Sequence, residues 1–379
     1  MDELKKNVLY LNLREKILSG ELADGFRLPP EAQFCRELKV GRVTLRSALE
    51  QLARDRLVIR TPRRGTFIRN PRAPENTILI IHTMNASVWT PADSILPGVE
   101  AVAARHGVKT EHCFIEILWN DTFMRMLPRL KKRHYRGVLV LSSNMRSGEP
   151  DVEILRALKI PVIMAHAIER DRELGFATIY TDFVKVTHAA LDYLAAAGHR
   201  KLVFLNLHKD DFRGIDETEM RRMMAEHGLD NTDRLFYYDP DRNMENVIPE
   251  IRKTEATAVL AYSDYLAAQF LLKVPKFRFE VPRDLSVMGI SGFEIGAMLD
   301  PPLTTVDLEY SNIGRQAMEL LLDADSWYKP GMLPPVMSND FHIVARNSVR
   351  SINCSIPRNK NHARRFSIPG RFQEKETEK

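Results

Sequence analysis

The chain has 379 residues, 44% of them hydrophobic and 28% charged, which suits two or three globular domains with a sizeable core in the larger part. No apolar run approaches the roughly 18 residues of a membrane helix, and the start MDELKKN lacks the apolar stretch of a signal peptide, so a cytoplasmic location is expected. The formal charge of +5 is uneven: residues 1–72 hold 16 Lys/Arg against 9 Asp/Glu, residues 351–379 hold 7 against 3, and the middle is left at −6, so only the ends suit a polyanion.

From Leu28 to Phe67 the chain reads LPPEAQFCRELKVGRVTLRSALEQLARDRLVIRTPRRGTF, a spacing of helix, turn, helix and basic hairpin. Leu45, Ala48, Leu49 and Leu52 recur at i, i+3, i+4 and i+7, which buries one side of a helix capped by Gly41. The opposite side is expected to carry Arg42, Thr44, Arg46 and Ser47. Near a helix amino end these can enter a major groove, where guanidinium groups match guanine O6/N7 and phosphate oxygens. Leu57–Arg60 and Gly65–Ile68 read as short strands, and Pro62, Arg63, Arg64 and Gly65 form a basic tip suited to phosphate or minor-groove contact. Residues 1–70 are therefore expected to form a DNA-binding domain.

The stretch PRAPEN, residues 71–76, reads as a linker. Beyond it, short apolar runs at 77–81, 137–141, 161–165, 201–205, 257–261 and 285–290 alternate with helical stretches. That alternation over residues 77–350 predicts a doubly wound α/β arrangement of parallel strands in two lobes, with ligands bound at the carboxyl ends of the strands in the cleft between lobes. Residues 351–379 lack apolar periodicity and read as a basic, disordered tail with auxiliary nonspecific affinity for DNA.

Enzymatic signatures are missing. GISG at 289–292 is not a nucleophile elbow, and there is no H-E-x-x-H, Walker loop or G-x-G-x-x-G after a strand. Cys35, Cys113 and Cys354 are far apart with no C-x-x-C, so neither a disulfide frame nor a metal site is expected, and no cofactor is called for. His199 lies in GHR between a helix and a strand, where turn and capping roles are usual.

Residues 5–70 resemble the winged helix-turn-helix of the GntR family of bacterial regulators, whose pattern runs L-P-S-E, S-R-x-T-V-R-x-A-L and G-R-G-T-F. The resemblance implies recognition-helix contacts from Arg42, Thr44 and Arg46, and wing contacts from Arg64 and Gly65, with Arg63 a further candidate. Pro30 replaces a capping Ser, and Gly41 and Val43 replace a Ser and often a Thr, which removes possible hydroxyl contacts.

Residues 77–350 are similar to the effector-binding domain of the LacI family, which has the fold of periplasmic sugar-binding proteins. The motifs are SILPGVEAVAARHGV at 94–108, YTDFVKVTHAALDYLAAAGHRKLVFL at 180–205, VPRDLSVMGIS at 281–291, PPLTTVDLEYSNIGRQAMELLL at 301–322 and IVARNS at 343–348. A GntR head on a LacI-type body is the arrangement of arabinose-responsive repressors. It implies a winged helix-turn-helix joined to a two-lobed periplasmic-binding-protein-like domain with parallel sheets.

By that resemblance Asp182 and Asp264 hold effector positions, where a carboxylate accepts two sugar hydroxyls. Both also suit helix N-caps. Ser291 stands where the family has an Asp, and Asp216 where it has an Arg, leaving Arg213 as a substitute. Trp89 offers a face for stacking on a sugar ring, and His166 ends a strand near the cleft. The implied function is a homodimeric transcription repressor that grips a near-palindromic DNA operator and is released by a small ligand, a sugar first. Two other readings stay open: a regulator whose body only dimerises or answers to a protein, and a sugar-binding or sugar-processing protein with an incidental basic head.

Overall fold

The computed structural model describes residues 2–19, 21–22, 25–61, 65–69, 75–82, 90–115, 118, 123–141, 143, 145–206, 215–230, 236–238 and 240–352. The chain forms two compact units. The first is Met1–Thr77 with Pro128–Arg136, and the second runs over Ile78–Leu127 and from Gly137 onward.

The head contains α1 (Asp2–Leu18), α2 (Glu31–Leu38), α3 (Arg42–Arg54), and the antiparallel pair β1 (Val58–Thr61) and β2 (Gly65–Ile68). Leu9, Leu13 and Ile17, at i, i+4 and i+8 of α1, meet Phe34 of α2 and Leu45, Ala48, Leu49 and Leu52 of α3 in one buried cluster. Neither α2 nor α3 has a side-chain cap, because Pro30 and Gly41 hold those positions. The hairpin gains a third, backbone-paired segment: Leu28 N–H donates to Thr66 O and Ile68 N–H to Phe26 O, both at 2.9 Å.

The body begins with β3 (Glu75–His82), so the last two residues of the expected linker are strand, and residues 70–74 lie outside the described residues. In chain order there follow α4 (Pro91–His106), β4 (Lys109–Phe114), α5 (Phe123–Lys132), β5 (Tyr135–Val140), α6 (Pro150–Leu158), β6 (Val162–Ala167), β7 (Ala177–Tyr180) and α7 (Phe183–Ala196). Then come β8 (Leu202–Asn206), α8 (Glu217–Glu226), β9 (Phe236–Tyr238), α9 (Pro240–Lys253), β10 (Ala258–Ala261), α10 (Asp264–Lys273), β11 (Ser286–Ser291), β12 (Thr304–Asp307), α11 (Tyr310–Leu322), β13 (Val336–Ser338) and β14 (His342–Val344). The strands form two six-stranded sheets, in the orders β13-β7-β6-β5-β3-β4 and β14-β12-β11-β10-β8-β9. In the second sheet β12 and β14 pair antiparallel, while β8, β9, β10, β11 and β12 pair in parallel.

The six apolar runs seen in the sequence all became strands. Every residue of β6, β8, β10 and β11 is buried, as expected of parallel strands covered on both faces by helices. Helix ends are fixed by local chemistry. Thr90 and Asp93 form a capping box ahead of α4, which has Pro91 at its first turn and ends on Gly107 at φ 61°. One helix pair is unusually close: a Cβ on Gly98 of α4 falls 1.9 Å from Ser311 O, and one on Gly314 of α11 falls 2.1 Å from Ile95 O. Only glycine lets these backbones touch. The expected disordered tail lies outside the described residues from 353 onward.

Candidate functional site

In the head, α3 presents Arg42, Val43, Arg46 and Glu50 to solvent, with Val43 69% exposed and Ser47 half-buried at the edge. Thr44 corrects the expected face: it is buried, because at i−4 from Ala48 and i−8 from Leu52 it falls on the core stripe. Arg46 Nε lies 2.7 Å from Glu31 Oε2 at the start of α2, and this hydrogen bond holds the guanidinium more strongly protonated. The hairpin supplies a second cationic feature that spacing alone missed. Arg27, exposed and bridged to Phe67, passes its guanidinium over Gly65, where a Cβ would meet Arg27 Nε at 2.9 Å. Gly65 also sits at φ 117°, so its lack of a side chain serves both the turn and the close approach. Arg63 and Arg64 lie outside the described residues.

In the body, three of the expected cleft residues lie at the ends of strands: His166 next to last in β6, Asp182 just after β7 and Ser291 at the end of β11. Asp182 caps α7: its Oδ1 accepts from Lys185 N–H at 3.1 Å, and its Oδ2 lies 3.0 Å from Lys185 Nζ. Its side chain keeps 23% exposure and can still accept from a ligand. His166, in β6, meets the edge of Tyr310 at 5.5 Å, and Phe293 stacks on the same ring at 5.6 Å and 22°. Tyr310 and Phe293 thus join the site, and neither was singled out by the sequence. Ser291 ends β11 opposite Asp307; it is fully buried, holds φ 155°, and its Oγ has no hydrogen-bond partner among the described residues. A buried hydroxyl left unpaired in a backbone state that side-chain-bearing residues seldom adopt costs free energy that the surrounding packing must offset.

Asp264 plays a different part. It is fully buried, its Oδ1 accepts from Thr305 Oγ1 at 2.5 Å, and its Oδ2 accepts from Phe293 N–H at 2.8 Å. Burial pushes its carboxyl up to about 7, against the pull of these donors and of Arg346. Ser263 caps α10 in its place, accepting from Leu266 N–H at 3.3 Å. With both oxygens engaged, Asp264 braces the turn after β11 rather than facing an open space. Asp216, at the position of the LacI-family Arg, caps α8 by accepting from Glu219 N–H at 2.8 Å. Trp89 and Arg213 lie outside the described residues. His199 is structural: its ring nitrogens meet Thr257 Oγ1 at 2.8 Å and Arg350 O at 3.2 Å, and burial lowers its pKa. Among the described residues no three His, Cys, Asp or Glu side chains are placed to hold a metal ion.

Comparison with known proteins agrees with both halves. Residues 5–68 match the profile of the bacterial regulatory proteins of the gntR family, and residues 191–349 match that of the periplasmic binding protein-like domain. The chain is 24% identical over 339 residues to an arabinose metabolism transcriptional repressor of Halalkalibacterium halodurans, covering 84% of this chain and 89% of that one. It is 26% identical over 330 residues to the HTH-type transcriptional repressor CytR of Escherichia coli, covering 83% and 90%. A solved transcriptional regulator CelR–cellobiose complex superposes with a TM-score of 0.59 at 18% identity, over 85% of this chain and 100% of that one. The LacI-family regulator CCPA of Weissella paramesenteroides, with bound sucrose, gives 0.58 at 20% identity over 73% and 100%.

Proposed function

Because a gntR-type head occupies residues 5–68 and a periplasmic-binding-protein-like fold occupies residues 191–349, we propose that this chain is a sequence-specific transcriptional repressor whose grip on DNA is set by a sugar held in the body. The observation that carries this reading is the exposed face of α3, with two arginines one turn apart beside a glycine-tipped hairpin. Arg42 and Arg46 reach base edges or phosphates, Ser47 adds a hydroxyl at the rim, and Val43 supplies an apolar contact of the kind that reads a thymine methyl. Arg63, Arg64, Gly65 and Arg27 form the backbone-gripping wing. In the body, Asp182, Ser291 and His166, together with Trp89 and Arg213, receive the sugar, and Asp264 shapes the wall behind them. The protein works in the cytoplasm as a homodimer, since paired heads match the two half-sites of a near-palindrome.

A second reading is favoured by one observation: the Asp264 carboxylate is fully buried and bonded to Thr305 and Phe293, so the carboxylate supply of the cleft is reduced, and the body could serve as a scaffold with no sugar. One experiment separates the two. The full chain is titrated against labelled genomic fragments by fluorescence anisotropy, alone and with arabinose, ribose, cellobiose or sucrose. Binding to one fragment should be steeply salt-dependent, losing about 0.9 in log–log slope per phosphate neutralised. A sugar at 100 times its Kd should also raise unfolding free energy by about 2.7 kcal/mol. Binding that no sugar alters supports the scaffold; no preference for any fragment over random DNA refutes both.

A further inference from the structure

The chain passes between the two sheets of the body three times. Thr181 and Asp182 lead from β7 into α7, Leu308 and Glu309 lead from β12 into α11, and residues 339–341 lead from β13 back to β14. Asn339 is the residue at which these crossings meet. It is 4% exposed; its backbone N–H donates to Tyr180 O at 2.8 Å, and its side-chain Nδ2 donates to Leu308 O at 2.6 Å. A second tie runs from His342 Nδ1 to Glu309 Oε1 at 3.0 Å, but it joins only two crossings and lies nearer solvent.

We propose that Asn339 is a positioning residue that makes the three crossings bend as one hinge, so that a sugar closing the cleft moves one lobe as a whole against the other. This rests on the repressor reading above and names the part that transmits its signal. A ligand shifts an equilibrium only through the difference in its affinity for two states, and three crossings that flexed separately would offer many intermediate states instead of two. Asn339 removes those intermediates by holding one crossing with its backbone N–H, on Tyr180 O at the end of β7, and another with its buried side-chain amide, on Leu308 O, so that bending one crossing alone stretches a hydrogen bond that no water can replace. The Asn339 Oδ1 atom has no hydrogen-bond partner among the described residues, so the side chain is held by its donor end, the end that reaches Leu308.

Two variants test this in the full chain: Asn339→Asp, nearly isosteric but without the Nδ2 donor, and Asn339→Leu, which keeps the volume should the carboxylate prevent folding. Hydrogen-exchange mass spectrometry without ligand should show the amides of Thr181, Leu308 and Asn339 speeding up together by about threefold to tenfold, the equivalent of one lost hydrogen bond. A change confined to residue 339 would overturn the proposal. Anisotropy with the same four sugars should show wild-type operator release of the usual allosteric size, about 5- to 150-fold, falling to about twofold or less in the variants while calorimetric sugar affinity stays within about threefold. Undiminished release would also overturn it. Should no sugar act on the wild-type protein, the effector reading fails, and the exchange pattern alone decides the hinge.

Discussion

The salt bridge between Arg46 and Glu31 sets two roles of one arginine against each other. The pair is short, at 2.7 Å, but the side chains are 63% and 38% exposed, so water and salt screen most of its attraction. Arg46→Ala should therefore leave the thermal midpoint of unfolding nearly unchanged. Its effect on DNA should be large, because the same guanidinium lies on the free face of α3. Loss of a base contact would lower affinity for the cognate fragment by about 5- to 150-fold and spare random DNA, whereas loss of a phosphate contact would weaken both alike and reduce the salt slope by about 0.9. Glu31→Gln is the complementary perturbation. It frees Arg46 and removes a negative charge facing the phosphates, so affinity should rise a few-fold at low salt, with the gain vanishing near 1 M, where the Debye length is about 3 Å. Anisotropy across a salt series, paired with thermal melts, reads both effects. If Arg46→Ala binds the cognate fragment with wild-type affinity at about 0.1 M salt, the assignment of α3 as the reading helix is refuted.

Other expectations follow from the body. Gly314→Ala would gain about 1 kcal/mol in an isolated helix, but here the methyl falls 2.1 Å from Ile95 O, so a net loss of about 1–3 kcal/mol is expected in urea unfolding, and adding Gly98→Ala should cost less than it does alone. Asp264 holds its proton up to about 7 in the folded chain but only to 3.8 unfolded, so the stability it contributes is full below 3.8 and is lost as pH rises through about 7. That interval bounds the loss at about 4 kcal/mol, and Asp264→Asn should flatten the stability–pH curve there; a variant with a parallel curve would contradict the assignment. Ser291→Ala deletes a buried hydroxyl with no hydrogen-bond partner among the described residues, so apo stability should hold or rise slightly. Sugar affinity measured by calorimetry should fall about tenfold, and unchanged affinity removes Ser291 from the site.

What the sequence disclosed, and what it withheld, follows the range of the interactions involved. The stripe of Leu45, Ala48, Leu49 and Leu52 needs only helical geometry, and the six apolar strands need only burial on both faces, so both were legible. Thr44 was misplaced because a polar residue near two arginines looks exposed, although its own i+4 neighbour is Ala48. β4 escaped notice because KTEHCF is polar and half-exposed at a sheet edge. Arg27 was missed because only backbone pairing with β2, forty residues on, brings it over Gly65. Asp264 shows the same limit in the body: a carboxylate after a strand reads as a ligand-binding group until Thr305 and Phe293, remote in sequence, are seen to occupy both its oxygens. The cleft is thus built from groups whose partners lie far along the chain, and what makes a carboxylate available to a ligand is an approach to the lone pairs its protein donors leave free. By that criterion Asp182, whose side chain keeps 23% exposure although Lys185 meets both its oxygens, rather than the fully buried Asp264, is the body carboxylate on which a sugar should depend most.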